Sequence, residues 1–311
     1  MNSRKFLYTY TIITVLLAAL LAGINYYIDI YGLFRGKKER KVYINERTSK
    51  YLFSMRYIPE NYEGFIAGPS LSANLNPEQI KEFKIYNASI MGINVTEMNY
   101  LVDNIIDKGH MKFAIICLGR YLTKDHGRKS ANIDPKEYYG ALGSTNLLKT
   151  YLLYAVRKYN WAPGRYAANV YNTAGWNNFE LEMKNLHARD TIEKRAALKI
   201  KDTISIDTVA YRELDYILKR LRSNNIKVIG YYSPVPYKLY EVDKAAYLDF
   251  EKEIGKLFND QDVLLNLNDE KYKAENDDYN NFIDHGHLSA NGQKFVLNEL
   301  GSVLKQLYPN K

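Results

Sequence analysis

The sequence predicts an α/β fold built on a parallel sheet, because short apolar segments alternate with amphipathic helical segments along most of the chain. Its composition supports a folded protein. Of the 311 residues, 46% are hydrophobic and 25% are charged, which is typical of globular domains and not of disordered chains. A chain of this length can bury one large domain with an appended module.

A membrane-spanning helix is predicted at the N-terminus. Residues 6–28 contain no charged side chain, and as a helix they would extend about 34 Å, enough to cross a hydrocarbon core of about 30 Å. Tyrosines lie near both ends of this stretch, where interfacial aromatic residues are common. We expect an uncleaved single span rather than a signal peptide, because Leu20-Leu21-Ala22 is a poor cleavage site.

The flanking charges and the chemistry of the chain favour opposite orientations of this span. Positive-inside counting favours a cytoplasmic C-terminal domain, since only Arg4 and Lys5 precede the span. The basic residues that follow it closely are Arg35, Lys37, Lys38, Arg40 and Lys41. A short N-terminal tail is usually retained inside, however, and the site chemistry described below favours an external domain. We therefore expect a short cytoplasmic tail and anchor at 1–28, a juxtamembrane segment at 29–61 and an extracellular domain at 62–311.

The first half of the predicted sheet contains three strands, at residues 64–67, 85–90 and 113–118. A short helix should follow Asn76-Pro77-Glu78, because an N-cap residue there precedes a proline at the first helical position. A longer helix, capped by Asn94-Val95-Thr96-Glu97, should end near residue 108.

Residues 121–206 break the alternation, and we interpret them as a largely helical insertion over the site. Their aromatic residues are Tyr138, Tyr139, Tyr151, Tyr154, Tyr159, Trp161, Tyr166, Tyr171 and Trp176. Aromatic rings along a cleft can stack on sugar rings, but packing within an inserted subdomain is the better explanation for most of them.

The alternation resumes after the insertion. We predict a helix at 207–223, a strand at 226–232, a helix at 242–258 and a strand at 263–267. A final helix, capped by Ser289, should run to about residue 307, because serine is a favoured N-cap residue.

Four loops should therefore meet at one edge of the sheet. In an open parallel sheet, ligands bind beyond the carboxyl ends of the strands. Ser70 follows the first predicted strand, Gly92 the second and Arg120 the third. Asp284 and His287 lie in the loop before the final helix. The sequence thus predicts a functional site at this edge.

The spacing within Asp284-His285-Gly286-His287 is informative because it places a carboxylate three residues before an imidazole, on a turn that contains glycine. Such a carboxylate fixes the histidine tautomer and stabilises the imidazolium, so that the histidine can deprotonate a hydroxyl nucleophile. The candidate hydroxyl is that of Ser70; Ser72 is the local alternative, which we interpret as a support residue. Together these residues indicate serine acyl-transfer chemistry, against the alternative that Ser70 is an ordinary turn residue.

The remaining composition narrows the range of partners and cofactors. The net charge of +8 favours an anionic partner such as a lipid surface or an acidic polymer, although codon bias explains it equally well. No basic cluster accompanies a nucleic-acid-binding motif, so nucleic acid is not expected. Cys117, the only cysteine, lies in an apolar run and cannot form an internal disulfide. His285 and Asp284 could ligate a metal, but no cysteine or further histidine cluster supports a site, so we expect no metal.

These motifs resemble those of the SGNH, or GDSL-type, hydrolases. Residues 68–72 resemble the first block of that family, with proline at 69 in place of the usual aspartate. Gly92 resembles the glycine of the second block, and Asp284-x-x-His287 resembles the last block. The resemblance covers about residues 62–120 and 207–307, and it implies a three-layer, flavodoxin-like fold.

The same resemblance implies roles for individual residues. Ser70 would attack an acyl carbonyl, His287 would act as general base and Asp284 would orient His287. The backbone amides of Ser70 and Gly92 would stabilise the oxyanion, and no cofactor would be needed.

The N-terminal span, followed by Tyr27-Ile28-Asp29-Ile30-Tyr31-Gly32-Leu33-Phe34, is similar to a membrane-anchored branch of this superfamily. That branch includes the teichoic acid D-alanylation protein DltD and the alginate O-acetylation proteins. The resemblance implies an O-acyltransferase that modifies a surface polysaccharide or teichoic-type polymer outside the membrane. It also implies an acyl donor supplied by a membrane-bound O-acyltransferase.

The third block departs from the family pattern. Its Gly-x-Asn becomes Gly119-Arg120-Tyr121, so the usual side-chain amide of the oxyanion hole is missing. Removing one such donor lowers the rate by about 100- to 1,000-fold. Arg120 or Tyr121 substitutes for the amide, or catalysis is weaker, or the substrate is already activated. Arg120 could instead hold an anionic substrate group or form a salt bridge at the strand end.

Three other functions stay open at this point. The protein could be a carbohydrate or lipid esterase with the same chemistry, since transfer to water and transfer to a sugar differ only in the second step. It could be a non-catalytic polysaccharide-binding or scaffold protein, which the altered third block favours. A cytoplasmic-facing lipid esterase would follow if the charge count decided the topology.

Overall fold

The computed structural model of the protein describes residues 3–35, 45–120, 122–123, 130, 132–139, 141–162, 172–177, 187–201 and 204–311. At its centre is a five-stranded parallel sheet with the strand order β2-β1-β3-β4-β5. The strands are β1 (Gly64–Ala67), β2 (Ile85–Asn87), β3 (Phe113–Cys117), β4 (Lys227–Tyr232) and β5 (Val263–Asn266). Each strand falls within a segment predicted from the sequence, so the predicted parallel α/β fold is confirmed.

Helices cover both faces of the sheet and give the fold three layers. Successive side chains of a strand point to opposite faces; Phe65 and Ile116 therefore join one hydrophobic cluster, whereas Ile66 and Ile115 join the other. The helices packed on the first face are α2 (Glu46–Ser54), α3 (Tyr57–Asn61), α5 (Val95–Lys108) and α9 (Thr208–Ser223). Those on the second face are α8 (Ala188–Ala197), α10 (Tyr237–Val242) and α13 (Ala290–Leu307). Helix α11 (Lys244–Gly255) also packs on the first face, through Phe250 and Ile254. The other helices described are α1 (Ser3–Ile28), α4 (Ser70–Ala73), α6 (Lys136–Tyr139), α7 (Thr145–Lys158) and α12 (Lys273–Asp277).

Side-chain caps fix the starts of the long helices where the sequence predicted them. The Asn94 side chain accepts a hydrogen bond from the Glu97 amide at 2.9 Å, and the Glu97 side chain accepts one in return from the Asn94 amide. Asp207 and Ser289 accept hydrogen bonds from first-turn amides of α9 and α13 in the same way. Each cap satisfies amides that have no partner within the helix.

Two predicted elements have different bounds in the structure. The second strand ends at Asn87 rather than at residue 90. The Ala88 and Ile90 amides still donate to the Ile66 and Gly68 carbonyls, at 2.8 and 3.1 Å, so the segment beyond the strand stays beside β1. The helix predicted at 242–258 is two helices, α10 and α11. The backbone of Asp243, with φ −135° and ψ 34°, is not helical and separates them.

The sequence did not predict α2 and α3, which lie in the segment between the apolar N-terminal helix and β1. Both pack into the core beside α5, and their residues Leu52, Phe53 and Ile58 are fully buried. Asn45 caps α2, because its side chain accepts a hydrogen bond from the Arg47 amide at 3.0 Å. The chain thus enters the hydrophobic core well before the first strand.

The N-terminal helix α1 is long and apolar enough to cross a membrane, as a membrane anchor or a signal sequence would be. Its large apolar side chains are exposed, and Asn25 is its only buried residue. Directly after it, the Asp29 side chain accepts hydrogen bonds from the Leu33 and Arg35 amides at 2.7 and 2.8 Å. These bonds fold the chain back toward the domain.

The described residues of the predicted insertion at 121–206 include the helices α6, α7 and α8. Within it, a short segment at 172–177 lies over the residues that follow Ser70. The Trp176 indole donates to the Asn74 carbonyl at 2.9 Å, and the Asn177 amide donates to the Ala73 carbonyl at 3.2 Å. Tyr121, Tyr166 and Tyr171, together with the Tyr139 side chain, lie outside the described residues.

Candidate active site

Ser70 lies at a sharp turn where β1 gives way to α4. Pro69 is extended, with φ −80° and ψ −165°, and Ser70 is the first helical residue. Gly68 allows this turn because a Cβ at that position would lie 2.5 Å from Cys117 Cβ and 2.6 Å from Ser72 Oγ. The turn places the Ser70 side chain at the carboxyl edge of the sheet, where ligands bind in folds of this type.

The structure brings the Ser70, His287 and Asp284 side chains together in a hydrogen-bonded chain. His287 Nε2 lies 3.1 Å from Ser70 Oγ, and His287 Nδ1 lies 2.8 Å from Asp284 Oδ2. Both contacts are within the distances found between a nucleophile, its base and the group that orients the base. Ser70 and His287 are 217 positions apart in the sequence, so the fold alone makes this contact.

A tight loop holds Asp284 in place. Its Oδ1 accepts hydrogen bonds from the Gly286 and His287 amides, both at 2.7 Å. Burial by itself would raise the pKa of Asp284, but the hydrogen bond and charge interaction with His287, together with these two amides, lower it to about 2. The carboxylate is therefore ionised at neutral pH. The Ile283 amide donates a hydrogen bond to the His287 carbonyl at 2.9 Å, which closes the loop.

Two backbone amides are candidate oxyanion donors. Ser70 is the first residue of α4, so its amide has no partner within the helix. Gly92 has φ +76°, a conformation that favours glycine. The Ile90 amide donates to the Gly68 carbonyl at 3.1 Å, which places the Gly92 loop beside the Ser70 turn. Neither the Ser70 nor the Gly92 amide donates a hydrogen bond to any residue that the structure describes.

Arg120 follows β3 and lies against the loop that carries Asp284 and His287. A Cβ added to Gly286 would lie 3.5 Å from Arg120 Nη2, and Arg120 Cζ is 6.0 Å from the Tyr247 ring centre. The Arg120 side chain is buried. Tyr121, the other residue predicted as a third-block donor, lies outside the described residues.

A small cavity of about 10 Å³ lies next to Arg120 and is also lined by Ser233, Tyr247 and Glu251. Its volume matches a single water molecule. Burial raises the pKa of Glu251 to about 7, although the Asn266 and Tyr240 side chains donate hydrogen bonds to its carboxylate. At this volume the cavity is too small to hold an acyl ester or a sugar.

Sequence reasoning missed a buried ion pair behind the Gly92 loop. Lys50 is fully buried; its Nζ donates to the Ser89 carbonyl at 2.5 Å and lies 3.2 Å from Glu46 Oε1. Glu46 Oε2 accepts a hydrogen bond from the Met91 amide at 3.2 Å. Burial lowers the pKa of Lys50, and the charge and hydrogen bond of the Glu46 carboxylate partly offset this by raising it. The only signal in the sequence is the four-residue spacing of Glu46 and Lys50, which is equally typical of an exposed helical pair.

The other candidate nucleophiles have different surroundings. Ser72 is buried, and its hydroxyl hydrogen-bonds to the Pro69 carbonyl at 3.1 Å and to Ser89 Oγ at 2.8 Å. Cys117 is fully buried, as expected of a strand thiol, and burial raises its pKa to about 11. Among the residues described, no three His, Cys, Asp or Glu side chains are grouped to hold a metal ion.

No protein-family model matches the chain. No curated protein matches it either. Among solved structures, the fold is similar to a GDSL-like lipase from Bacteroides thetaiotaomicron, with 9% identity and a TM-score of 0.40 over 80% of this chain and 91% of that one. A protein proposed as an acylhydrolase, from Bacteroides fragilis, matches with 10% identity and a TM-score of 0.39 over 78% and 86%. At these scores the likeness carries no functional argument, and the chemistry must be inferred from the side chains of this chain.

Proposed function

We propose that the protein is a membrane-anchored serine acyl-transfer enzyme, an O-acyltransferase that modifies a cell-surface polysaccharide or teichoic-type polymer. The observation that carries this proposal is the continuous contact from Ser70 through His287 to Asp284. An ordinary turn serine has no reason to lie within hydrogen-bonding distance of a histidine that is itself fixed by an ionised carboxylate. These are the geometric roles that define nucleophilic catalysis by serine.

The contact with Asp284 sets the tautomer of His287. An ionised carboxylate can only accept hydrogen bonds, so Nδ1 must carry the proton in the 2.8 Å contact with Asp284 Oδ2. The lone pair of Nε2 then faces Ser70 Oγ and can accept the proton of the hydroxyl. As the imidazolium forms, the negative charge of Asp284 stabilises it.

The proposed reaction has two steps. Ser70 Oγ bonds to the acyl carbonyl carbon of the donor while His287 takes the serine proton; His287 then returns that proton to the leaving group as the donor bond breaks. In the second step His287 deprotonates an acceptor hydroxyl, which attacks the acyl-serine carbonyl carbon. His287 returns this proton to Ser70 Oγ as the ester bond to Ser70 breaks. The Ser70 and Gly92 amides would donate hydrogen bonds to the oxyanion formed in each step.

Two further observations support transfer to a polymer over release to water. The segment at 172–177 packs over the residues that follow Ser70, through Trp176 and Asn177, and so covers the protein beside the site. The apolar helix α1 is tied to the folded domain through Asn25, which supports an uncleaved anchor. A membrane-bound O-acyltransferase would supply the acyl group, and the domain would lie outside the membrane.

The acceptor is tested by measuring where the acyl group goes. The purified full-length protein is given an aryl acetate donor with and without oligosaccharide acceptors, and acetate and acetyl-sugar are quantified. We expect acetyl-sugar to form and to depend on Ser70, while free acetate falls as acceptor is added. If acetate is the only product at every acceptor concentration, the protein is an esterase with the same nucleophile, and the transferase proposal fails.

A further inference from the structure

The apolar helix α1 makes polar contacts with the insertion through the single buried residue Asn25. Asn25 Nδ2 donates to the Leu142 and Ser144 carbonyls at 2.7 and 3.3 Å, and Asn25 Oδ1 accepts a hydrogen bond from the Tyr151 hydroxyl at 2.9 Å. Ser144 is the N-cap of α7, and Tyr151 lies within it. Helix α7 is therefore fixed against the C-terminal end of α1.

The position of Asn25 sets the depth of α7 relative to a membrane crossed by α1. Asn25 is three residues before the end of α1 at Ile28, which corresponds to about 4.5 Å along the helix axis. The headgroup layer is about 5–7 Å thick on each side of a bilayer. With Ile28 at the outer surface of the headgroup layer, the start of α7 would lie at the level where hydrocarbon gives way to headgroups.

An apolar stripe runs along the exposed side of α7 and into the turn that follows it, beside the exposed polar residues Thr145, Asn146 and Lys149. Leu148, Leu152 and Tyr159 are 40%, 63% and 58% exposed, and Trp161 is 64% exposed. Residues 148, 152 and 159 are spaced by four and seven positions, which places them along one side of a helical path. A helix that faces water normally has polar residues on this side.

Cationic side chains flank this apolar surface. Lys149 and Lys158 are exposed, and Lys158 Nζ lies 5.6 and 5.5 Å from the centres of the Tyr154 and Tyr159 rings. Helices that lie in the interface of an anionic bilayer typically combine leucine and tryptophan with lysine. Tyrosine and tryptophan are also enriched at that depth.

We propose that α7 is a second membrane contact of this protein, a helix lying in the headgroup layer of an anionic bilayer beside the end of α1. Leu148, Leu152 and Trp161 enter the acyl boundary, and Lys149 and Lys158 contact lipid phosphates. The contact holds the insertion against the membrane and fixes the tilt of the domain. This inference rests on the anchoring role of α1 in the proposed function and is independent of the Ser70 chemistry.

The test places an environment-sensitive fluorophore at chosen leucines of the full-length protein in nanodiscs of zwitterionic and anionic phospholipid. Cys117 is fully buried, so new surface cysteines are labelled selectively. Leu152→Cys reports on α7, Leu16→Cys on the middle of α1, and Leu198→Cys is a matched control at a leucine that is 62% exposed. We expect blue-shifted emission at 152 with quenching by lipids that carry a doxyl group at a shallow acyl position, strong quenching at 16 by the deep doxyl lipid, and neither effect at 198.

Quenching at 16 without quenching at 152 overturns the proposal and leaves the anchor intact. A label at 152 that is shielded from water but not quenched by lipid also overturns it, because protein then covers this face. Absence of quenching at 16 would show that α1 does not enter the bilayer. Both this inference and the membrane part of the proposed function would then fail. Reduced quenching at 152 in purely zwitterionic nanodiscs is the expected result of the contribution of Lys149 and Lys158.

A second inference rests on different contacts, those of the buried Glu46–Lys50 pair. Lys50 Nζ donates to the carbonyl of Ser89, Glu46 accepts from the Met91 amide, and Ser89 Oγ is hydrogen-bonded to Ser72 Oγ. These bonds fix Ser89 and Met91, which lie just before Gly92, to α2 and to the turn that carries Ser70. Removing one member of a buried ion pair leaves the other charge uncompensated, so the segment would have to move.

We infer that Lys50 is a positioning residue that fixes the Gly92 amide at the oxyanion site; the inference rests on the proposed function of Gly92. Lys50→Met should lower kcat for an aryl acetate by about 100-fold, the effect of a displacement of about 1 Å at a reacting centre, with KM nearly unchanged. The affinity for a boronic acid that forms a tetrahedral anion on Ser70 should fall by a similar factor. The matched control is Arg56→Met, which removes the partly exposed ion pair of the same spacing between Arg56, just before α3, and Glu60 within it. We expect it to change neither quantity.

Glu46→Gln is the second variant in case Lys50→Met does not fold, because it keeps an acceptor for the Met91 amide while removing the charge that faces Lys50. An unchanged kcat and boronate affinity in a folded variant at either position overturns this inference. That result leaves the proposed function intact, provided that turnover by the wild-type protein still depends on Ser70. If the wild-type protein shows no Ser70-dependent turnover, the proposed function fails first.

Discussion

Replacing Ser70 with alanine should lower the rate of acyl-ester cleavage by about 10⁴- to 10⁶-fold, the range found when a catalytic serine is removed from a triad. The physical reason is that Ser70 Oγ is the hydroxyl that lies 3.1 Å from His287 Nε2. Without it, His287 has no nucleophile to activate. Only the weaker contribution of the oxyanion donors and of substrate binding should remain, measured as kcat with an aryl acetate.

Ser72→Ala is the control for this experiment, because Ser72 is the rival hydroxyl two residues away. Its hydroxyl is buried and bonded to the Pro69 carbonyl and to Ser89, so its loss should weaken the turn but leave acyl-enzyme formation intact. A variant without Ser72 that loses all turnover, beside a Ser70→Ala variant that keeps it, would reverse the assignment. Acyl content of the surface polymer in cells should follow the same order.

Replacing Asp284 with asparagine should lower kcat by about 10⁴-fold while leaving the loop folded. The two amides that donate to Asp284 Oδ1 fix the orientation of the new side chain, because only its carbonyl oxygen can accept them. The side-chain NH₂ group must then occupy the position of Oδ2 and donate to His287 Nδ1. This donation forces the proton onto Nε2, where it faces Ser70 and blocks acceptance of the serine proton.

The pH dependence of stability provides an independent check on Asp284. Its folded-state pKa of about 2 lies below the ordinary value of 3.8, so the ionised carboxylate stabilises the fold above about pH 4, and this stabilisation is lost as the pH falls toward 2. Asp284→Asn lacks the titrating group and should show a smaller loss of stability across that window. The matched control is Asp278→Asn, which alters a carboxylate that caps an exposed turn through the Asn280 amide. Identical acid-unfolding profiles for wild type and Asp284→Asn would contradict the assigned interaction.

Local signals in the sequence were sufficient to predict the sheet. Each strand is a short apolar run bounded by turn residues, and Asn94, Asp207 and Ser289 cap the helices as their side chains predict. The edge of the sheet where the loops meet follows from the parallel order, because all carboxyl ends then point the same way. This is why Ser70 and the distant His287 could be predicted from the sequence to lie at one site.

Features that depend on tertiary packing were not predictable. The Glu46–Lys50 pair reads as a solvated helical pair in the sequence, and only the packing of α2 against the Gly92 loop reveals that it is buried. The break at Asp243 is similar, since the residues on both sides of it have helical composition. Arg120 could be placed at the edge of the sheet, but its proximity to Gly286 depends on side-chain packing that spacing does not encode.

The central claim is that the Ser70 hydroxyl is a nucleophile activated by His287. Its most direct test treats the folded full-length protein with a fluorophosphonate and maps the adduct by mass spectrometry. We predict one covalent adduct on the peptide that contains Ser70, located at Ser70 by fragmentation and abolished by His287→Ala. An adduct on another residue, or no adduct on protein shown to be folded, would contradict the account.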